Sequence, residues 1–338
     1  MMNSCDVDRD HDSSPILAVS VVVPAFNEED TVGLFVARVL ELTKANESLE
    51  VELIFVNDGS SDKTLERLLA LRERNSWIKV IELSRNFGKE AALTAGLQAA
   101  TGRVIIPMDV DLQDPPELIP KMVERWRQGF DVVLAQRINR QSDTLAKKLT
   151  AGWFYKVHNL LSEVQIPQNV GDFRLMDRQV VNALMELPES CRFMKGMFAW
   201  VGFRTSTVGY ERGPRVAGTG KFNGWRLWNF AVQGITGFST APLRIWTYLG
   251  VLVAAMALSW GGYILIRTLV KGIDVPGYAS LLVAVMFLGG VQLIGIGVLG
   301  EYVGRAYIET KRRPTYIIRR IYSSDSKHPQ LRDGDELA

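Results

Sequence analysis

"VIIPMDVDLQDPPE", residues 104 to 117, joins an apolar run to a cluster of acids: Val104 to Met108 carry no charge, and Asp109, Asp111, Asp114 and Glu117 follow at once. A short apolar run bounded by turn formers reads as a buried strand. The same pattern recurs at Val19 to Val23, Val51 to Val56, Ile78 to Leu83 and Val132 to Ala135, with segments of helical period such as Glu28 to Thr43 and Lys63 to Arg74 between them. Valine- and isoleucine-rich strands alternating with helices predict a doubly wound, mostly parallel α/β sheet. Ligands of such a sheet bind beyond the carboxyl ends of its strands. Three polar clusters fall there: "PAFNEE" at 24 to 29, "NDGSSD" at 57 to 62 and the acidic stretch itself.

No G-x-G-x-x-G follows the first strand, which argues against a dinucleotide fold of the dehydrogenase kind. Acids beside a phosphate ligand would repel it unless a divalent cation intervened, and Mg²⁺ or Mn²⁺ takes one or two carboxylates and completes its shell with substrate phosphates. Asp109 and Asp111 can point into one site once the chain leaves the pleat, and Gln113 adds a neutral oxygen. Asp114, before Pro115, reads as a helix start with proline in the first turn.

The chain has 338 residues, 47% of them hydrophobic, with 39 basic against 37 acidic side chains, and this balance does not point to a nucleic-acid binder. Charge is missing from two stretches, the 22 residues from Ile245 to Ile266 and the 26 from Val275 to Gly300. Each is long enough for a helix to cross a hydrocarbon layer of about 30 Å. Their glycines suit close packing in a membrane better than a water-exposed helix. Arg212, Arg215, Lys221, Arg226 and Arg244 precede the first span, and Arg305, Lys311, Arg312, Arg313, Arg319 and Arg320 follow the second, while the link holds only Arg267 and Lys271. The positive-inside bias therefore puts the N-terminal domain and the tail in the cytoplasm. Cys5 and Cys191 fit a reducing compartment and imply no disulfide or zinc framework. Residues 1 to 14 lack the apolar core of a secretory signal. "KFNGWRLWNFAVQGITGF" at 221 to 238 sets Phe222, Trp225, Trp228, Phe230 and Val232 among Lys221 and Arg226, a composition suited to an interfacial helix.

"VSVVVPAFNEE" at 19 to 29, "VNDGSSD" at 56 to 62, "RNFGKEAALTAGL" at 85 to 97 and "DVDLQDPPE" at 109 to 117 together resemble the family 2 glycosyltransferases. The likeness continues through "NVGDFRLMD" at 169, "FMKGMFAWVG" at 193 and "LGEYVGR" at 299, and with two C-terminal spans it is nearest to the polyprenyl-phosphate type, the bactoprenol glucosyltransferases. The resemblance implies a GT-A-like sheet with an interfacial amphipathic helix and two transmembrane helices. Its expected divisions are a polar tail at 1–16, a cytoplasmic catalytic domain at 17–218, a juxtamembrane segment at 219–240, a hairpin at 241–304 and a cytoplasmic tail at 305–338. It further implies that Pro24, Phe26 and Glu28 hold the base and ribose of a nucleotide sugar, that Asp58 accepts from the base, and that Asp109 and Asp111 lie along the ribose and diphosphate. Asp111 and Gln113 would hold Mg²⁺ or Mn²⁺. As a turn former in Asn-Asp-Gly, Asp58 also has a purely local explanation.

The implied reaction is inverting transfer of glucose from UDP-glucose to undecaprenyl phosphate at the inner face of a bacterial cytoplasmic membrane, with GDP-mannose or a modified UDP-sugar as the alternative donor. A phosphate monoester is largely ionised near neutral pH, its second pKa being about 6, so its oxygen needs no strong base and the protein's task is positioning and neutralisation. Arg137 is the foremost cation for the acceptor phosphate, followed by Lys147, Lys148, Arg192, Lys195, Arg212 and Lys221, and Asp172 is the acid placed to orient the acceptor or assist proton movement. Implied partners are the lipid bilayer, a second copy in a homo-oligomer such as a tetramer, a lipid-sugar flippase and a periplasmic glycosyltransferase. A processive polysaccharide synthase would show Q-x-x-R-W and more spans, and a nucleotidyltransferase a glycine-rich basic loop where this chain has "PAFNEE". Two spans are few for a translocator.

Overall fold

The computed structural model describes residues 16–138, 170–190, 192–211, 236, 239–271 and 277–323. Apolar runs become strands where expected: β1 (Leu17–Ala25), β2 (Leu49–Asn57), β3 (Ile78–Leu83), β4 (Val104–Pro107) and β5 (Val132–Arg137). Three further strands complete the sheet, β6 (Val170–Asp177), β7 (Thr205–Tyr210) and β8 (Ile318–Tyr322). The order across the sheet is β7-β5-β6-β4-β1-β2-β3-β8. β1 pairs parallel with β2 and β4, β2 with β3, and β5 with β7, whereas β6 runs antiparallel between β4 and β5 and β8 antiparallel along β3. The carboxyl ends of β1 to β5 and β7 and the first residues of β6 therefore share one edge.

Helices cover both faces, as a doubly wound sheet requires. On one face α1 (Val32–Ala45), α2 (Thr64–Arg74) and α4 (Ile119–Arg127) bury Phe35, Val39, Leu68 and Met122 against Val21, Leu53, Phe55 and Val133. On the other, α3 (Lys89–Ala99), α5 (Arg178–Glu186) and α6 (Met194–Trp200) bury Leu93, Leu97, Val181 and Met197 against Val22, Ile54, Val56 and Met176. α1 and α3 start without a side-chain cap and are secured by their buried apolar faces, whereas Asp177 caps α5 by accepting from the Gln179 amide (3.0 Å).

Two long helices follow, α7 (Ala241–Lys271) and α8 (Tyr278–Thr310). Within them Ala241–Ile264 and Ala284–Thr310 are long and apolar enough to cross a membrane. Their large apolar side chains face outward, Leu258 being 77% exposed and Leu293 70%, which suits lipid and would be costly in water. Tyr302 on α8 donates to the Ser239 carbonyl (2.6 Å) ahead of α7, and the Glu309 carboxylate accepts from the Ser190 amide (2.9 Å). The chain then returns to the sheet, so the stretch expected from its polarity to be a tail carries an edge strand. Buried Glu82 of β3 accepts from Arg319 Nη1 (3.1 Å) and from the Tyr322 hydroxyl (3.0 Å), fixing β8 in place. The juxtamembrane segment proposed as an interfacial helix lies, except for Thr236, Ser239 and Thr240, outside the described residues.

One glycine in the "NDGSSD" turn has no substitute. Gly59 sits at φ 65°, and a Cβ there would lie 2.6 Å from the backbone of Arg85 and Asn86. Gly59→Ala combines left-handed strain with a backbone clash and should cost about 2–4 kcal/mol, read as a lowered midpoint of thermal unfolding.

Candidate active site

The loops after β1 and β2 are stitched together by local chemistry. Asn27, at φ 54°, accepts from the Ser61 amide (2.9 Å) on its side-chain oxygen, and its own amide donates to Ser60 Oγ (3.0 Å). The Glu28 carboxylate accepts from the Thr31 hydroxyl (2.8 Å) at the start of α1. Pro24 lies within β1, and Phe26 leaves its ring more than a third exposed at the edge. Asp58 is buried, and its two oxygens accept from the amides of Phe87 (2.7 Å) and Gly88 (2.9 Å). Burial pushes its carboxyl up despite those two bonds and nearby Arg85. Asp58 is thus more than a former of its own turn, because it clamps the loop leading into α3. Four of the six residues expected to hold a nucleotide sugar, Pro24, Phe26, Glu28 and Asp58, gather at adjoining strand ends.

The acidic stretch sits beside them. Asp111 is largely buried and its Oδ1 accepts from the Gln113 amide (3.2 Å), which curls the loop, while Leu112 between them is held at φ 55°. Left-handed backbone at a β-carbon-bearing residue is strained and persists only where surroundings impose it. Leu112 packs against the core beneath. Helical structure does begin at Pro116, but Asp114 does not cap it. Its buried carboxylate instead accepts from the Tyr210 hydroxyl of β7, to which Arg137 Nε also donates (3.2 Å), with Arg137 Nη2 4.0 Å from Asp114. Burial and Asp114 push the Tyr210 hydroxyl up to about 12. Although burial disfavours its charge, Tyr210 and Asp114 keep the Arg137 guanidinium firmly protonated. Arg137 lies across Gly171, where a Cβ would come within 3.2 Å of Nη2.

A second charge cluster adjoins the first. Lys89, the first residue of α3, donates to Asp109 Oδ1 (2.6 Å) and to Asp172 Oδ2 (2.7 Å). Burial alone would raise the Asp172 carboxyl, but Lys89, Lys195 and Arg174 outweigh it and hold it well below the usual range. Arg174 is buried, stacks 3.9 Å over the Phe198 ring and donates to the Gly171 carbonyl (2.8 Å). Burial brings it down to about 10 against the pull of Asp172 and Glu90. Lys195 and Arg174 line a cavity of about 160 Å³ together with Leu134, Val170 and Phe198.

Of the other expected cations, Arg192 is not brought to this edge. It donates to the Leu187 carbonyl (2.9 Å) and lines a separate cavity with Gln98 near the far end of α3 and Tyr316. Lys147, Lys148, Arg212 and Lys221 lie outside the described residues. Lys89, Glu90, Arg174 and Tyr210 were not singled out from sequence. Two signals were nonetheless present: a lysine opening a helix, where the dipole disfavours it, and Asp172 and Arg174 two apart on a largely apolar strand.

Among the described residues no group of three His, Cys, Asp or Glu is arranged to enclose a metal. Asp111 and Gln113 nonetheless supply the hard oxygens that Mg²⁺ or Mn²⁺ prefers, in the small number a cation needs when it takes the rest from a substrate.

A bactoprenol glucosyl transferase of Shigella phage SfV is 54% identical to this chain, over 90% of it and 98% of the relative. The chain belongs to glycosyl transferase family 2. The model for that family matches residues 20–185, and one described as the GtrB C-terminal hairpin matches 241–306. This family 2 glycosyltransferase is also 53% identical to a prophage bactoprenol glucosyl transferase homolog of Escherichia coli K12, over 90% of this chain and 99% of that one. It is 52% identical to an uncharacterized glycosyltransferase of Synechocystis, over 89% and 95%. Among solved structures, the mannosyltransferase PcManGT of Pyrobaculum calidifontis, in complex with GDP-Man and Mn²⁺, superposes with a TM-score of 0.45 at 17% identity, covering 89% of this chain and 86% of that one.

Glu90, beside Lys89, supplies a pH test of the cluster. Burial and Asp172 push its carboxyl up to about 7, with Lys89 and Lys195 acting the other way. A carboxyl raised on folding binds more protons folded than unfolded, so stability falls as pH rises from about 4.5 to about 7. Glu90→Gln removes that loss. Its change in unfolding midpoint relative to wild type should be more favourable at pH 8 than at pH 5 by about 3 °C or more, measured by thermal melts in detergent.

Proposed function

We propose that this glycosyltransferase moves glucose from UDP-glucose to undecaprenyl phosphate at the cytoplasmic face of a bacterial inner membrane, with inversion at the anomeric carbon. The observation that carries the reading is the union in one chain of an acid-lined sheet edge with an apolar helical hairpin, whose domain-side ends are joined to each other by Tyr302 and Ser239 and to the domain by Glu309 and the Ser190 amide. The relatives named for bactoprenol glucosyl transfer support the acceptor and the sugar. The basic residues flanking the two spans support a cytoplasmic catalytic domain.

In this reading Pro24, Phe26 and Glu28 border the base and ribose. Asp58, whose oxygens each keep a lone pair beyond the amide bonds, accepts from the base, and Asp109 lies along the ribose and diphosphate. Asp111 and Gln113 would hold Mg²⁺ or Mn²⁺, which when bound offsets charge on the departing diphosphate. An acceptor phosphate oxygen bonds to the anomeric carbon as the bond to UDP breaks, and the ionised nucleophile gives up no proton. Arg137, braced by Tyr210 and Asp114, and Lys195 supply cations toward the acceptor. The expected product is a lipid-linked sugar for O-antigen or other envelope glycosylation, which a flippase and a periplasmic glycosyltransferase would take onward.

The test offers purified full-length protein, Mg²⁺ and undecaprenyl phosphate a panel of labelled nucleotide sugars. Label from UDP-glucose should enter the lipid phase, and Asp111→Asn should lower that transfer about 100-fold or more. Label from GDP-mannose instead would move the assignment to the alternative donor. Label that stays in water with every donor would overturn the reading.

A further inference from the structure

β4 and β6 pair antiparallel only at Val104 with Asp177 and Ile105 with Met176. Carried on toward the carboxyl edge, that register sets Asp109 opposite Asp172. Two carboxylates facing each other beyond the end of a hydrogen-bonded ladder repel, and in the described structure the Lys89 ammonium lies between them at 2.6 and 2.7 Å. The helix does not explain the lysine, since a cation at its first position meets the positive end of the dipole.

The two acids are not equivalent. Asp172 is set in β6, its side chain 17% exposed, with the Arg174 and Lys195 charges about it. Asp109 is 34% exposed and leads into a loop that contains left-handed Leu112. That loop does not hold its own shape by repeating backbone bonds, so its course depends on side-chain anchors. Tyr210 and Arg137 anchor its far end at Asp114, and Lys89 anchors its near end at Asp109.

We propose that Lys89 is a positioning residue of the transfer reaction, joining Asp109 to the fixed Asp172 so that the acidic loop presents Asp111 and Gln113 at one set distance from the acceptor side of the site. Asp172 then acts as the counter-ion that seats Lys89. The inference rests on the function proposed above and adds a residue to it.

The experiment compares Lys89→Met, Lys89→Arg, Asp172→Asn and the double variant Lys89→Met/Asp172→Asn, as full-length proteins, by steady-state transfer from UDP-glucose to undecaprenyl phosphate. Displacement of about 1 Å can cost 100-fold in rate. Lys89→Met and Asp172→Asn should each lower kcat by about that factor with donor KM within about threefold of wild type. The double variant should lose no more than about threefold beyond either single, because both act through one contact. Lys89→Arg, which can still bridge two carboxylates, should restore at least about tenfold. The double variant also removes one charge of each sign, so it reports even where Lys89→Met alone does not fold. A kcat within threefold of wild type in Lys89→Met or in the double variant, losses that multiply, or a loss confined to donor KM would each overturn the proposal. An inactive wild type overturns the proposed function itself, whereas an active wild type with indifferent Lys89 variants overturns only this role.

Discussion

Negative charge concentrated at one edge of the sheet must be balanced for the chain to fold as it does. Asp58, Asp109, Asp111, Asp114 and Asp172 all reach that edge. Each described compensation is of a different kind: backbone amides for Asp58 and Asp111, a phenol and a guanidinium for Asp114, an ammonium shared by Asp109 and Asp172. Leaving a buried carboxylate without such partners costs several kcal/mol. The charged and phenolic partners come from α3, β5 and β7, so these pairs form only as the sheet closes around them.

The same arrangement separates two jobs. At β1 and β2 the edge is built from short polar side chains and backbone, with Phe26 exposed. At β4 to β7 it is built from charged pairs, and these lead to a small cavity in which Arg174 and Lys195 sit among Leu134, Val170 and Phe198. Such a site has a polar side and an amphiphilic side, which match the soluble nucleotide and the lipid phosphate of the proposed reaction. Anchoring is mechanical as well as hydrophobic: the end of α8 is bonded to the loop before α6, and β8 extends the sheet beyond β3. The span therefore ends in the body of the domain and not in a loose linker.

Much of this was written in local pattern. Apolar runs marked β1 to β5, charge-free stretches marked α7 and α8, and clusters of acid and turn residues marked the strand ends, because burial selects residue type position by position and periodicity records it. β6 breaks its apolar residues with Asp172 and Arg174 and ends on Asp177, β7 opens with Thr-Ser-Thr, and β8 is "IRRIY" within a basic stretch, so none displays a continuous apolar run. Asp114 looked like a helix start because the residues after it do start one, while its true partner, Tyr210, is 96 positions away.

Residue types and their spacing by themselves determined the mostly parallel sheet, the hairpin and the family, since these follow from short-range burial and motif identity. Only the tertiary structure decided which charges meet. Lys89 is 20 residues from Asp109 and 83 from Asp172, and although its place at a helix start sets it apart from other lysines, nothing local names its two partners. Electrostatic pairing depends on distance in space, and the sheet order that brings β6 beside β4 sets that distance.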